Sequence, residues 1–230
     1  MRSKPNPVDL KVNWWKITGG LLVAYSLIAG LSIPVPQLPI IYESIRNLFY
    51  HVSMWFTMTA MMGISLGYSI SYLKHPLQIR DTAASEAAAV GLFFSFLGLV
   101  TGMMWANFTW GKPWTNDPQL NGAATAILVY LAYFVLRSSI EDHEKKARVS
   151  AVYNIFAFVL MLVFIGIMPR LAEHSIHPGK SGNPALGVKG LDPTMRLVFY
   201  PAVAGWIMIA LWIWKIRIRI HTIQQKISEL

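Results

Sequence analysis

The sequence predicts an all-α polytopic membrane protein, a bundle of six transmembrane helices with both termini in the cytoplasm. Three observations predict it. Of the 230 residues, 54% are hydrophobic and only 13% charged, about half the charged share of a soluble domain. That is too little charge to cover a water-facing surface. The apolar residues stand in long blocks, most near the ~20 residues a helix needs to cross the hydrocarbon. The basic residues fall between the blocks, as orientation signals do.

The blocks run in order over residues 14–33, 48–73, 83–105, 122–136, 149–168 and 197–214. Each is continuous, whereas a barrel strand would alternate apolar and polar residues. The first follows a basic start, MRSKPNPVDLKVNWWKITGG, with no small-residue cleavage pattern after it, and reads as a retained span. The fourth is short unless residues from Pro118 or beyond Leu136 extend it. Gly63, Gly67, Gly98 and Gly102 permit close helix packing, and Gly63 with Gly67 has the small-xxx-small spacing. Without a repeat or a long linker, residues 1–230 read as one domain.

Charge orients the bundle. The N-terminus, the 74–81 and 137–148 connections and the C-terminus hold 14 of the Lys and Arg residues. The remaining 6 lie in loops 34–47, 106–121 and 169–196. The excess places both termini inside and these three loops outside. The outward loops are longer and rich in Pro, Gly and aromatics, so the specialised surface lies there. A net charge of +9 without a continuous basic patch argues against nucleic acid. The chain has no cysteine, which excludes disulfides and thiolate chemistry. It carries no P-loop, zinc-protease helix or dinucleotide fingerprint, hence no redox or hydrolytic motif.

Six histidines divide by side. His75, His143 and His221 sit among inner charges and read as solvated. His51 opens the second span in LFYHVSMWF, where burial is costly unless the ring is paired or ligating. Trp55 stands one helical turn away on the same face. His174 and His177 lie in the third outer loop, in LAEHSIHPGKSG. Pro178 and Gly179 break any helix after them, so His177 projects from a turn. A neutral imidazole can ligate iron axially. One ligand from a helix end and one from a loop would clamp a flat macrocycle from opposite faces.

The segment WGKPWTNDPQLNG, residues 110–122, would lie beside such a ring. Indoles bury a large area while keeping an N–H for a partner, so Trp110 and Trp114 can cover a porphyrin. Trp14, Trp15, Trp212 and Trp214 read instead as interfacial anchors. Arg46, Arg170 and Arg196 are the outer arginines placed to pair with porphyrin carboxylates. Glu86, near the inner end of the third span, reads as an interhelical polar contact.

These features together resemble CcmC, the heme exporter protein C family of cytochrome c maturation, within the wider group that shares a tryptophan-rich WWD segment. The likeness covers nearly the whole chain. His51-Val52-Ser53-Met54-Trp55 matches the family's first histidine motif, with Ser53 in place of a proline. Ile176-His177-Pro178-Gly179 fits the second better than Glu173-His174-Ser175, leaving His174 as the alternate. Trp110, Gly111, Trp114, Asp117, Pro118 and Leu120 match the signature. Pro113 and Asn116 stand where further aromatics are common, and Gln119 replaces a frequent arginine. The resemblance implies a heme-handling protein of the bacterial inner membrane with its active face in the periplasm. It implies heme b, held by His51 and His177 and shaped by Trp55, Trp110 and Trp114, with Asp117 ordering the loop or meeting the acceptor. It implies transfer to the heme chaperone CcmE, with the CcmA/CcmB ABC transporter and the small membrane protein CcmD as partners. A system II cytochrome c heme lyase subunit and a non-heme transporter subunit are the alternative readings. A Soret band in the isolated protein distinguishes the last.

Overall fold

A computed structural model describes residues 14–178 and 190–228. Arg2, Lys4, Lys11, Lys180 and Lys189, which contribute to the charge asymmetry, and residues 179–189 of the third outer loop lie outside the described residues. The regular elements of the described residues are helical: α1 (Trp14–Ser32), α2 (Ser53–Lys74), α3 (Gln78–Trp110), α4 (Pro118–Ser138), α5 (His143–Leu162), α6 (Met168–Leu171) and α7 (Pro193–Ser228). A 3₁₀ turn, Tyr42–Arg46, and a π-helical turn, Leu48–Val52, lead into α2. A second π-helical turn, Val163–Ile167, joins α5 to α6.

Among the described residues, five helical segments are long and apolar enough to cross a membrane: α1, α3, α4, α5 with its continuation to Leu171, and α7. The chain is an all-α, multi-pass membrane protein. Six spans were expected, and the segment missing from the five is α2. Its polar residues Ser53, Thr57, Ser65 and Ser69 are buried, because α2 packs among α3, α5 and α7. Asn154 of α5 donates to the hydroxyls of Ser65 (2.7 Å) and Ser69 (2.8 Å). Ser65 in turn donates to the Ala84 carbonyl of α3 at 2.7 Å. Hydrogen bonds of this kind join helices where water is scarce, and they explain why a central helix has low hydropathy.

Helices α3 and α7 run 33 and 36 residues, well past the apolar blocks that announced them. Their extra turns are held by charge pairs. Asp81 of α3 meets Arg137 of α4 in a bidentate pair at 2.8 and 2.5 Å. Glu86 of α3 pairs with Arg217 of α7, the interhelical contact expected of it. Trp214 is not an interfacial anchor. It is buried, and its indole donates to the Ala83 carbonyl at 2.9 Å. The fourth block extends as it needed to, from Pro118 to Ser138.

Small residues decide where helices touch. Ala87 and Ala88 are fully buried in a core with Met54, Met58, Met61 and Met62. A Cβ at Gly91 would lie 2.9 Å from the Met62 side chain. Gly63 and Gly67, the pair with the small-xxx-small spacing, meet nothing within 4 Å.

Candidate functional site

The site lies at the end of the bundle where α3 finishes and α2, α4 and α7 begin. A cavity of about 330 Å³ opens there, within the usual span of ligand pockets, roughly 300–1,000 Å³. Both π-helical turns reach it, through Leu48, His51 and Val52 on one wall and Ile165 and Gly166 on another. Such turns add a residue to a helix and re-aim its side chains, and they recur at functional sites.

His51 sits in the first π-helical turn. Its Nδ1 lies 2.8 Å from the Gly98 carbonyl and 3.3 Å from the Thr101 hydroxyl. The carbonyl can only accept, so the proton belongs on Nδ1 and the lone pair on Nε2. The Trp55 indole donates to that Nε2 at 3.3 Å. A carbonyl holding Nδ1–H is the arrangement that orients an imidazole for ligation through Nε2. Glycines of α3 make the room. A Cβ at Gly102 would stand 2.6 Å from His51 Cε1, and one at Gly98 would stand 2.8 Å from Trp55 Cε2.

Asp117 builds the opposite side. Gly111, at φ +74°, ends α3, its N–H donating to the Asn107 carbonyl. This left-handed position favours glycine. Asp117 then caps α4, accepting from the Gln119 N–H at 2.8 Å, with Pro118 in the first helical turn, both favoured there. Thus the expected loop 106–121 is helical at both ends, and the connection is 111–117. The second carboxylate oxygen of Asp117 accepts from the Ser175 hydroxyl (2.8 Å) and the Ile176 N–H (2.9 Å). The His177 N–H donates to Ser175 Oγ at 3.2 Å. One buried carboxylate therefore starts α4 and fixes the segment that carries His177.

His177 lines the cavity, half-buried, its ring 6.0 Å from Trp105 in an edge arrangement. Burial holds its imidazole below its ordinary pKa, against the opposing charge of Asp117. It is neutral near pH 7, the form that can ligate. Trp105 stacks edge-on with Trp110 at 4.9 Å and donates to Ser44 Oγ at 3.1 Å. Trp55, Trp105 and Trp110 all border the cavity.

Residues 3–169, which are most of the chain, match the profile of the cytochrome c assembly proteins.

The chain belongs to the cytochrome c assembly protein family. The matched region holds His51, the three indoles and Asp117, and stops before Arg170 and His177. The heme exporter protein C of Bradyrhizobium diazoefficiens is 33% identical over 115 residues, 49% of this chain and 43% of that protein. That of Paracoccus denitrificans is 26% identical over 196 residues, 81% of this chain and 77% of that protein. The cytochrome c biogenesis protein CcsA of Prochlorococcus marinus is 31% identical over 109 residues, 45% of this chain and 34% of that protein. Against the Bradyrhizobium relative, then, the match spans less than half of that protein's length.

Within this cytochrome c assembly protein, the remaining predicted residues part ways. Arg170 borders the cavity. Arg46 lies off its wall: its guanidinium caps α1, donating to the Gly30 (3.1 Å) and Ile33 (2.5 Å) carbonyls, and pairs with Glu43 at 2.7 Å. Arg196 donates through Nε to the Leu191 carbonyl at 2.9 Å, one residue behind the wall. Trp114 is exposed and off the cavity, and His174 is exposed as well. The sequence did not assign Trp105, Ser44, Asn47 or Gln119 to the site, and all four are on the wall. Gly98, Gly102 and Trp105 repeat at helical spacing on one face of α3, which was the readable signal for Trp105. Asn47 and Gln119 carry no such signal. Their amides donate to the carbonyls of Thr101 and Ile165, both at 3.3 Å, across helices that only folding brings together.

Proposed function

We propose that this protein holds heme b as cargo at the periplasmic face of the bacterial inner membrane and passes it to the heme chaperone CcmE during cytochrome c maturation. One observation carries the reading. Imidazoles from two separate elements, His51 and His177, border a single cavity walled by indoles. Two imidazoles are what an iron needs when a macrocycle supplies the in-plane nitrogens. His51 and His177 would hold the iron. Trp55, Trp105 and Trp110 cover the ring and exclude water, and Arg170 pairs with a propionate. Arg46 acts from the end of α1, whose last carbonyls it holds, and Arg196 acts from behind the wall through the Leu191 carbonyl. Trp114, exposed beside the site, suits contact with the acceptor. The relatives named as heme exporters support the cargo.

The charge asymmetry, 14 basic residues against 6, supports the orientation. With 22 residues, α2 reaches about 33 Å at 1.5 Å per residue, enough for a sixth span within one domain. The chain carries no nucleotide motif, so the CcmA/CcmB transporter would supply ATP energy and CcmD would complete the assembly.

The test is heme content. Purified His51→Ala and His177→Ala proteins should each retain several-fold less heme than wild type and lose the Soret band of a bis-imidazole iron. Unchanged content and spectrum in both would refute the assignment, and no Soret band in wild type would favour a non-heme transporter subunit. The similarity to CcsA keeps a second heme reading, direct delivery to apocytochrome. Co-purification with apocytochrome rather than the heme chaperone would favour it.

A further inference from the structure

At the end of the bundle away from the cavity, the start of α1 meets the middle of α7. Two glycines set how closely. A Cβ at Gly19 would lie 2.8 Å from Met208 Cβ, and one at Gly205 would lie 2.9 Å from Leu22 Cβ and 3.0 Å from the Val23 backbone nitrogen. A turn or two beyond this contact, the same helices bring three cations together. Lys16 Nζ stands 5.3 Å from the Trp212 ring centroid and 5.8 Å from that of Trp15. Lys215 Nζ stands 4.8 Å from the Trp15 centroid. Arg219 follows Lys215 by one helical turn and borders the same small cavity of about 50 Å³. Among the described residues, the ion pairs are Arg46–Glu43, Arg137–Asp81 and Arg217–Glu86, and no carboxylate joins this cluster.

Like charges so gathered repel, and the glycine contact keeps the helices from parting to relieve it. The indole faces offset part of the cost, since the negative face of an aromatic ring attracts a cation. An anion between the cations would offset the rest. The cavity has room for a phosphate, given that one water needs only about 10–15 Å³ of such volume. Its surroundings select the anion's source. Ile17 and Leu21 of α1 and Ile216 and Ile220 of α7 are exposed beside it, and apolar side chains there suit acyl chains.

We propose that Lys16, Lys215 and Arg219, framed by Trp15 and Trp212, form a binding site for the phosphodiester of an anionic glycerophospholipid. The lipid links the first and last helices of the bundle, and the site is independent of the heme reading. Delipidated full-length protein in neutral detergent is titrated with phosphatidylglycerol, phosphatidylcholine or inorganic phosphate and followed by native mass spectrometry. Wild type should retain one phosphatidylglycerol at least ten-fold more tightly than phosphatidylcholine, and millimolar inorganic phosphate should leave it in place. A Lys16→Gln, Lys215→Gln, Arg219→Gln triple variant should lose that preference. Equal retention of the two lipids by wild type, or an undiminished preference in the triple variant, overturns the proposal. Displacement by inorganic phosphate overturns the lipid as its source. The wild-type comparison decides the matter even if the triple variant fails to fold.

Discussion

Asp117 acts as a positioning residue. Its two oxygens divide the work, one capping α4 and the other holding Ser175 and Ile176. Losing the cap alone costs about 1 kcal/mol, and the larger effect should fall on His177, which loses its anchor. Asp117→Ala should lower heme retention toward the level of His177→Ala, although the imidazole remains. Asp117→Asn keeps one acceptor oxygen and should retain an intermediate amount. Heme-to-protein absorbance ratios of the purified variants check this, and wild-type retention in Asp117→Ala would remove the positioning role. The carboxylate stood out in the signature segment. Its partners did not, because Ser175 and Ile176 lie nearly sixty residues away and nothing in their local sequence announces them.

Among the elements, glycines discriminate most sharply. Gly102→Ala would drive a methyl to 2.6 Å from His51 Cε1. Overpacking of this kind costs about 1–3 kcal/mol, and here it should displace the His51 ring. Heme retention should fall several-fold with the helical circular dichroism preserved. Gly63→Ala meets nothing within 4 Å and should leave both measurements unchanged. The sequence offered both pairs at the same spacing. Spacing cannot tell which face a helix turns inward: a Cβ at Gly98 or Gly102 would meet Trp55 or His51, and one at Gly63 or Gly67 would meet nothing within 4 Å. A second element-level test concerns Asp81 and Arg137, which are 6% and 18% exposed at their side chains. Removing one partner strands a buried charge at about 3–5 kcal/mol. Arg137→Ala should lower the melting temperature in detergent markedly, and an Asp81→Asn, Arg137→Gln double variant should recover part of the loss. A double variant whose loss equals the sum of the Asp81→Asn and Arg137→Gln losses would mean the pair carries no coupling.

For the whole molecule the open quantity is topology. Reporter fusions test it directly: alkaline phosphatase joined after Lys112 should be active, and joined after Ser228 inactive. Activity at both points would overturn the paired-termini arrangement and the count of six spans with it. The all-α, multi-pass architecture was legible because hydrocarbon demands long apolar helices, and composition alone reveals those. The limits of α3 and α7 were not, because hydropathy reports where lipid lies while ion pairs and caps decide where a helix stops. The caps themselves were readable: Gly111 and Asp117-Pro118 are stop and start signals, and they shorten the connection to 111–117.

By itself the sequence determined the membrane-spanning class, the charge asymmetry and the motif residues His51, Trp110, Asp117 and His177, since each depends on residue type or local order. The tertiary structure alone decided that the two histidines border one cavity, that Trp105 walls it while Trp114 stands outside, and that Arg46 holds the last carbonyls of α1. Those outcomes depend on which helix faces meet. Meeting is settled by packing among distant residues, and a linear pattern holds no record of it.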